Sequence, residues 1–237
     1  MTIPAAPNTV QAIIQKAYWD SGLLQETDEP NSTQYATAMQ RLNDIVNVEQ
    51  TQGLKLFTLE DQAVTLVAGQ GQYVLGTLGT PGTKPMRVLQ AYYVDSTGIR
   101  RPLICLSWDE YLRLSQPQQQ GPLNSYFIDK QPTVLNVSVW LVPDTTAATG
   151  ALHLLVQNQV TQAIALTDNI MFPIEWTMYL RWALADDLAT GQPAAIMQRC
   201  AAKAEGYRKV LEDWDVEDAS TQFTPDQRAG FGYSRFR

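Results

Sequence analysis

A helical repeat at each end of the chain encloses about a hundred residues that carry a strand pattern. Near the N-terminus, apolar side chains recur three and four residues apart, and they do so again after Asn31 or Ser32, either of which can cap the second helix. The same repeat returns in FPIEWTMYLRWALADDLATG (172–191) and in the stripe from Met197 to Trp214. Because helices flank the strand region on both sides, the four helices are expected to pack with one another.

Short alternating or β-branched segments, separated by Gly, Pro and Asp, fill the middle of the chain. Two of them, in MRVLQAYYVDSTGIRRPLICLS (86–107), are joined by a predicted turn at Asp95–Gly98. The stretch that begins at Trp108, WDEYLRL, fits one helical turn. Regular turn signals between short strands are typical of an antiparallel sandwich or a small barrel.

The predicted fold class is therefore α+β: a four-helix domain with an inserted antiparallel β-sandwich or small barrel and an extended C-terminal arm. The helical domain is expected to be discontinuous, built from residues 1–55 and 170–218. The inserted β domain would occupy residues 56–169, and the docking arm residues 219–237.

The charge balance and the cysteine usage exclude several classes of function. The formal net charge is −7 and the pI about 4.7, whereas a module that grips duplex DNA normally presents a basic face. Cys105 and Cys200 lack a CxxC partner, so no metal or redox motif is predicted and both are read as reduced thiols. No apolar run approaches the ~18 residues of a membrane helix, so no membrane partner is expected.

Motifs that carry chemistry are equally scarce. His153 lies in a strand pattern with no catalytic partner nearby in sequence, and it is interpreted as a structural histidine. GQGQYVLG (69–76) lacks the spacing of a phosphate-binding loop, and the adjacent Asp186 and Asp187 point about 100° apart on a helix. The prediction is a protein that is not an enzyme, with no catalytic residue, no cofactor and no metal site.

The chain ends in QFTPDQRAGFGYSRFR, which has neither a helical repeat nor strand alternation. Such a segment can dock on a neighbour, with aromatic rings filling pockets and arginines pairing with carboxylates; the opposing interpretation is a loose chain end. The adjacent Tyr92 and Tyr93 are candidate interface aromatics, because neighbours on a strand point to opposite faces. The candidate docking residues of the arm are Phe223, Arg228, Phe231, Tyr233, Arg235, Phe236 and Arg237.

A series of elements in a fixed order carries a family resemblance. They are SGLLQETDEP, YATAMQRLNDIVNVEQTQGLKLFT, VTLVAGQGQYVLG, KPMRVLQAYYVD, RRPLICLSWDEYLRL, LNVSVWLVPD and DNIMFPIEWTMYLRWALADDLA. In this order, over about residues 8 to 225, the chain resembles the head-to-tail adaptor proteins of short-tailed bacteriophages, also called tail tubular protein A-like, head-completion or packaged-DNA-stabilising proteins.

The resemblance implies a structural connector of the virion neck, assembled in the host cytoplasm. Its expected partners are further copies in a dodecameric ring, the portal protein, the tail nozzle protein, and double-stranded DNA that passes through without sequence-specific binding. The helical domain would pack side by side with its copies, and the arm would reach the portal. The alternative, from the residues alone, is a binding module of a tail-associated protein whose β domain recognises carbohydrate or peptide.

Overall fold

The structure is a computed structural model, and it describes residues 9–52, 56–76 and 84–215. The predicted arm, residues 219–237, lies outside the described residues.

Five α-helices are present in the described part of the chain. They are α1 (Val10–Asp20), α2 (Ser32–Glu49), α3 (Trp108–Leu112), α4 (Thr177–Leu188) and α5 (Ala194–Trp214). Short 3₁₀ turns cover Leu56–Thr58, Ala147–Thr149 and Ile174–Trp176. Since the last of these turns directly precedes α4, that helix begins at Thr177, inside the predicted helical segment 172–191.

Local capping sets the starts of three helices. The Asn31 side chain accepts from the Gln34 amide at 2.9 Å while the Gln34 side chain accepts from the Asn31 amide at 2.8 Å, so Asn31 and not Ser32 caps α2. Ser107 and Glu110 form the same reciprocal pair at the start of α3. Thr9 caps α1.

The strands form three sheets in the described ranges. One sheet has the order β1 (Leu59–Thr65), β10 (Ala151–Gln157), β3 (Arg87–Val94), β4 (Arg100–Pro102). A second has the order β2 (Gln72–Gly76), β8 (Val134–Trp140), β7 (Ser125–Lys130), β5 (Ile104–Leu106), and the third pairs β6 (Gln120–Gly121) with β9 (Val142–Pro143). The predicted turn at Asp95–Gly98 is confirmed, since the Gly98 amide donates to the Asp95 carbonyl and Gly98 has a φ of 85°.

Two hydrophobic clusters hold these elements. The first collects the buried faces of α1, α2, α4 and α5, together with Val160, Ile170 and Phe172 from the segment that follows β10. The second is shared by the two four-stranded sheets, whose inward residues include Leu75, Leu135 and Leu154. α4 contacts α1, α2 and α5, so it is the central helix of the first cluster.

The predicted four-helix domain with an inserted antiparallel sandwich or barrel is wrong as a description of the fold. The described chain has five helices and three sheets of four, four and two strands, a mixed architecture compatible with α+β only at the level of class. α3 lies between β5 and β6 because its capping box stabilises it locally. The strand pairs β5–β7 and β6–β9 are parallel, so the sheets are not purely antiparallel as predicted. The proposed domain boundaries stay a prediction.

In the ranges that the structure describes, no helix is both long enough and apolar enough to cross a membrane.

Candidate functional site

A cleft of about 760 Å³ lies between α2, α4 and α5. The α5 wall contributes Ala201, Ala204, Glu205 and Arg208. Most of α5 is exposed to solvent: of its 21 residues, only Cys200 and Leu211 are buried. The rest of the lining comes from α2, α4 and their ends: Arg41, Asp44, Ile45, Val48, Glu49, Gln52, Tyr179, Ala183, Asp186, Asp187 and Thr190.

A buried carboxylate forms the floor of the cleft. The side chain of Glu49 is only 3% exposed and accepts a 2.8 Å hydrogen bond from the Tyr179 hydroxyl. Arg208 Nε lies 3.7 Å from Glu49 Oε2 and 3.0 Å from Glu212 Oε1, so Arg208 joins the buried acid to an exposed one. Burial, together with the Glu49 carboxylate, raises the pKa of Tyr179, so its hydroxyl stays a donor at neutral pH.

The cleft is acidic as well as apolar. Five carboxylates and only two arginines line it, which leaves a formal excess of three negative charges. Arg41 Nη1 pairs with Asp187 Oδ2 at 3.1 Å, but neither side chain of that pair is buried. Burial and the neighbouring Asp187 carboxylate raise the pKa of Asp186. Lys209 is not part of the lining but pairs with Glu205 at 3.0 Å, so an excess of two negative charges remains beside apolar surface, and the cleft suits a cationic, partly apolar ligand.

The opposite flank of α5 is an exposed apolar surface. Val210 is 66% exposed and Trp214 62% exposed. At 100° per residue, both lie on the side of the helix turned away from Glu205 and Arg208. Exposed aromatic and aliphatic side chains at this level mark candidate protein interfaces. We call this surface, Val210 and Trp214, the α5 flank.

His153 has partners that its sequence neighbours do not supply. Its Nδ1 lies 3.1 Å from Asp61 Oδ1, and its ring stacks on Tyr92 with centroids 4.8 Å apart and an interplanar angle of 14°. The Tyr92 hydroxyl also donates to Asp61, and Arg100 lies over the Tyr92 ring, 5.2 Å from its centroid. Slight burial opposes ionisation of Asp61, but the hydrogen bonds from Tyr92 and His153 outweigh it and lower the pKa of that carboxyl.

We call Asp61, Tyr92, Arg100 and His153 the sheet-face cluster. It lies across the outer face of the first sheet because β1, β10 and β3 are neighbours, with Ala63 opposite His153 and His153 opposite Tyr92. Within the described hydrogen bonds, no serine, threonine or cysteine contacts the imidazole. In the described part of the chain, the Asp–His pair is not extended to a nucleophile in the manner of a catalytic triad.

The two candidate interface tyrosines have different roles. Tyr92 is half-buried in the sheet-face cluster, whereas Tyr93 is 3% exposed and its hydroxyl donates to the Ala147 carbonyl at 3.0 Å. Tyr93 is thus a core residue, and it lines a 420 Å³ pocket beside the β3–β4 turn. In that pocket Asp95 is already bonded to Thr97 and Arg101. The candidate arm residues from Phe223 to Arg237 lie outside the described chain, so their positions are not part of this geometry.

Sequence reasoning missed Glu49 and the partners of His153, for different reasons. Glu49 continues the buried stripe of α2 three residues after Val46, so a charged residue at a core position was a usable signal. Asp61 and Tyr92 are far from His153 in sequence, and only the strand pairing brings them together.

Comparison of the chain with models of known protein families, and with curated protein sequences, finds no match. Among the described residues, no group of three or more His, Cys, Asp or Glu side chains is arranged to hold a metal ion.

Proposed function

We propose that the protein is a structural head-to-tail connector of a phage virion that assembles as a ring under the portal, lines the DNA channel and joins it to the tail nozzle. The observation that carries the proposal is the α5 flank. α5 packs mainly against α4, and it presents Val210 and Trp214 outward without a partner among the described elements. Two exposed apolar side chains one turn apart at the end of a helix are suited to pack against another copy.

Closed rings need two different surfaces on each subunit, because a ring contact is heterologous. A second set of exposed apolar residues lies in the segment that leads into α4 and in its first turn, where Met171, Ile174 and Met178 are 63%, 59% and 40% exposed. The α5 flank of one copy packed on this group of the next copy would bury both. This pairing supplies the ring proposal with two named surfaces.

The charge of the chain fits a wall past which DNA moves. With a net charge of −7, the protein has no surplus of Lys and Arg to neutralise phosphates and hold a duplex in place. A DNA-channel component benefits from weak contact, since strong phosphate binding would slow the passage of the genome. The proposal therefore includes DNA as a passing partner and not as a sequence-specific ligand.

The test is native mass spectrometry of the full-length chain, alone and mixed with the portal protein encoded in the same genome. Trp214→Ala and Val210→Glu are expected to abolish ring formation on the portal while leaving the circular dichroism spectrum unchanged. Trp108→Ala is the matched control, because Trp108 is a tryptophan of similar exposure, 58%, in the strand-rich part. A wild-type chain that stays monomeric with the portal, or a Trp214→Ala ring of normal size, would contradict the proposal.

The alternative, a binding module for carbohydrate or peptide, predicted a concave aromatic pocket with convergent polar groups. The 420 Å³ pocket beside the β3–β4 turn contains a single aromatic, Tyr93, whose hydroxyl is already bonded to Ala147. The sheet-face cluster has two stacked rings, but it lies on the outer face of the sheet. The connector proposal has the stronger support, because its surfaces are exposed and apolar.

A further inference from the structure

We infer that the acidic cleft between α2, α4 and α5 binds the last ten residues of the same polypeptide, RAGFGYSRFR (228–237). This inference concerns the free chain, and it does not depend on ring formation. It assigns an occupant to a cleft that the connector proposal leaves unused, since the α5 flank lies on the other side of the helix.

Charge complementarity selects this occupant. Residues 228–237 contain three arginines and no acidic residue, whereas the cleft keeps two negative charges in excess once Lys209, the partner of Glu205, is counted. Guanidinium groups pair with carboxylates through two parallel hydrogen bonds, and among the described ion pairs Asp44 and Asp186 have no basic partner, whereas Glu205 is paired with Lys209 at 3.0 Å. The preceding part of the tail is different, because residues 216–227 contain three acidic residues and no basic one. Only the final ten residues therefore match the cleft.

The apolar part of the lining fits the same segment. Ile45, Val48, Ala183 and Ala204 are small or aliphatic, and Val48 is 57% exposed although it lies in the concave wall. Phe231, Tyr233 and Phe236 are separated by one or two residues, so an extended segment can direct aromatic rings into the cleft while its arginines reach the rim.

The chain length allows docking in the same molecule. α5 lines the cleft up to Arg208 and ends at Trp214, a rise of about 9 Å along the helix axis. The twelve residues 216–227 can span at most about 40 Å, which is ample to return from the end of α5 to the cleft. A short tether also gives the segment a local concentration of about 1 mM at the cleft, which favours its own molecule over a second copy.

Disulfide trapping in the full-length chain tests the inference. The probe variant is Val48→Cys with Ser234→Cys, and Cys105→Ser removes the exposed native thiol. The control replaces Val48→Cys by Val210→Cys, which is also an exposed valine but lies on the α5 flank and closer to the tail in sequence. Under mild oxidation, the probe is expected to form an intramolecular disulfide about tenfold faster than the control.

Three outcomes of the disulfide experiment support or overturn the inference that residues 228–237 bind in the cleft. A fast intramolecular disulfide at Val48→Cys that slows when Arg235→Ala and Arg237→Ala are added, or in ~1 M salt, supports docking by charge complementarity. Equal rates for the probe and the control would overturn the inference, because an undocked tail meets the nearer cysteine at least as often. Disulfide-linked dimers in place of cross-linked monomers would also overturn it, since the tail would then occupy the cleft of a second copy. None of these results depends on the portal, so this inference and the connector proposal fail separately.

Discussion

Glu49 shows how a single charged side chain can be retained in a hydrophobic core. Its carboxylate is almost fully buried in the first cluster, which is costly unless the charge is paired and hydrogen-bonded. Tyr179 donates a hydrogen bond to it from α4, and Arg208 contributes positive charge from α5. The acid thus connects three helices at the floor of the cleft, and its position on the buried stripe of α2 follows from the helical repeat.

Gly150 occupies a position where no side chain fits. A Cβ atom there would lie 2.3 Å from the Val94 carbonyl oxygen and 2.6 Å from the Tyr93 ring. Gly150→Ala is therefore expected to lower the free energy of unfolding by about 1–3 kcal/mol, because the buried Tyr93 or strand β3 must shift. Urea denaturation measures the change.

Gly206→Ala is the matched control for this prediction. A Cβ at Gly206 meets nothing within 4 Å, and the residue lies inside α5, so this change is expected to stabilise the protein by about 0.5–1 kcal/mol. If Gly150→Ala were as well tolerated as Gly206→Ala, the close packing between β3 and the turn before β10 would be incorrect.

Asp186 makes the free energy of unfolding depend on pH with a sign opposite to that of a carboxylate in an ion pair. Burial and Asp187 raise its pKa in the folded state, so the folded protein binds this proton more tightly than the unfolded chain does. Ionisation of Asp186 therefore costs stability at neutral pH, and this cost disappears as the pH falls through the raised pKa. Asp186→Asn should increase the free energy of unfolding at pH 7 by up to about 0.5 kcal/mol, with allowance for solvent screening.

The gain from Asp186→Asn is expected to vanish below about pH 3.9, the ordinary pKa of an aspartate, where both states are protonated. Urea denaturation across this pH range, with the exposed Asp213→Asn as control, makes the comparison. A gain that is constant with pH would mean that the change acts through packing and not through the charge of Asp186.

At the scale of elements, one residue, Asp20, links three helices of the first cluster through its carboxylate and its backbone carbonyl. Asp20 is the last residue of α1, where negative charge opposes the helix dipole. Arg181 of α4 compensates it, donating from Nη2 to Asp20 Oδ1 at 2.8 Å and from Nε to Oδ2. Arg199 of α5 donates to the Asp20 carbonyl at 2.6 Å, so all three helices meet at this residue.

Removal of one partner from this pair should be strongly destabilising. Arg181→Ala is expected to cost about 3 kcal/mol, because it leaves a carboxylate that is only 14% exposed without its guanidinium. The double variant Asp20→Ala with Arg181→Ala should lose much less than the sum of the single changes, which a double-mutant cycle measures. Arg113→Ala, which breaks a pair more than 70% exposed, should cost under about 0.5 kcal/mol. Additive single changes would contradict a coupled ion pair.

At the scale of the whole molecule, each of the two proposals concerns a different side of α5. The α5 flank carries apolar side chains and suits contact with a second copy, whereas the cleft side carries carboxylates and suits an arginine-rich segment. One helix can serve both, because residues on its two sides never compete for the same surface. The ring test and the disulfide test therefore examine different surfaces of the same helix.

The sequence by itself determined the features that depend on contacts between residues close together in the chain. The start of α2 at Asn31 or Ser32 and the turn at Asp95–Gly98 depend on side chains and amides a few residues apart, so both were readable from the pattern, and the structure selects Asn31 as the cap. The helical turn predicted to begin at Trp108 is likewise confirmed by α3, whose capping box joins Ser107 to Glu110.

Only the tertiary structure decided which distant segments meet. The parallel pairing of β5 with β7, the cluster of Asp61, Tyr92 and His153, and the cleft all join residues that no local spacing relates. Strand alternation predicts which residues share a face but not which strand lies alongside, and the same strand pattern fits parallel and antiparallel neighbours. Helical repeats likewise predict a buried stripe but not its partner. The burial of side chains over the whole chain selects those partners, and for that reason the cleft appears only in the folded molecule.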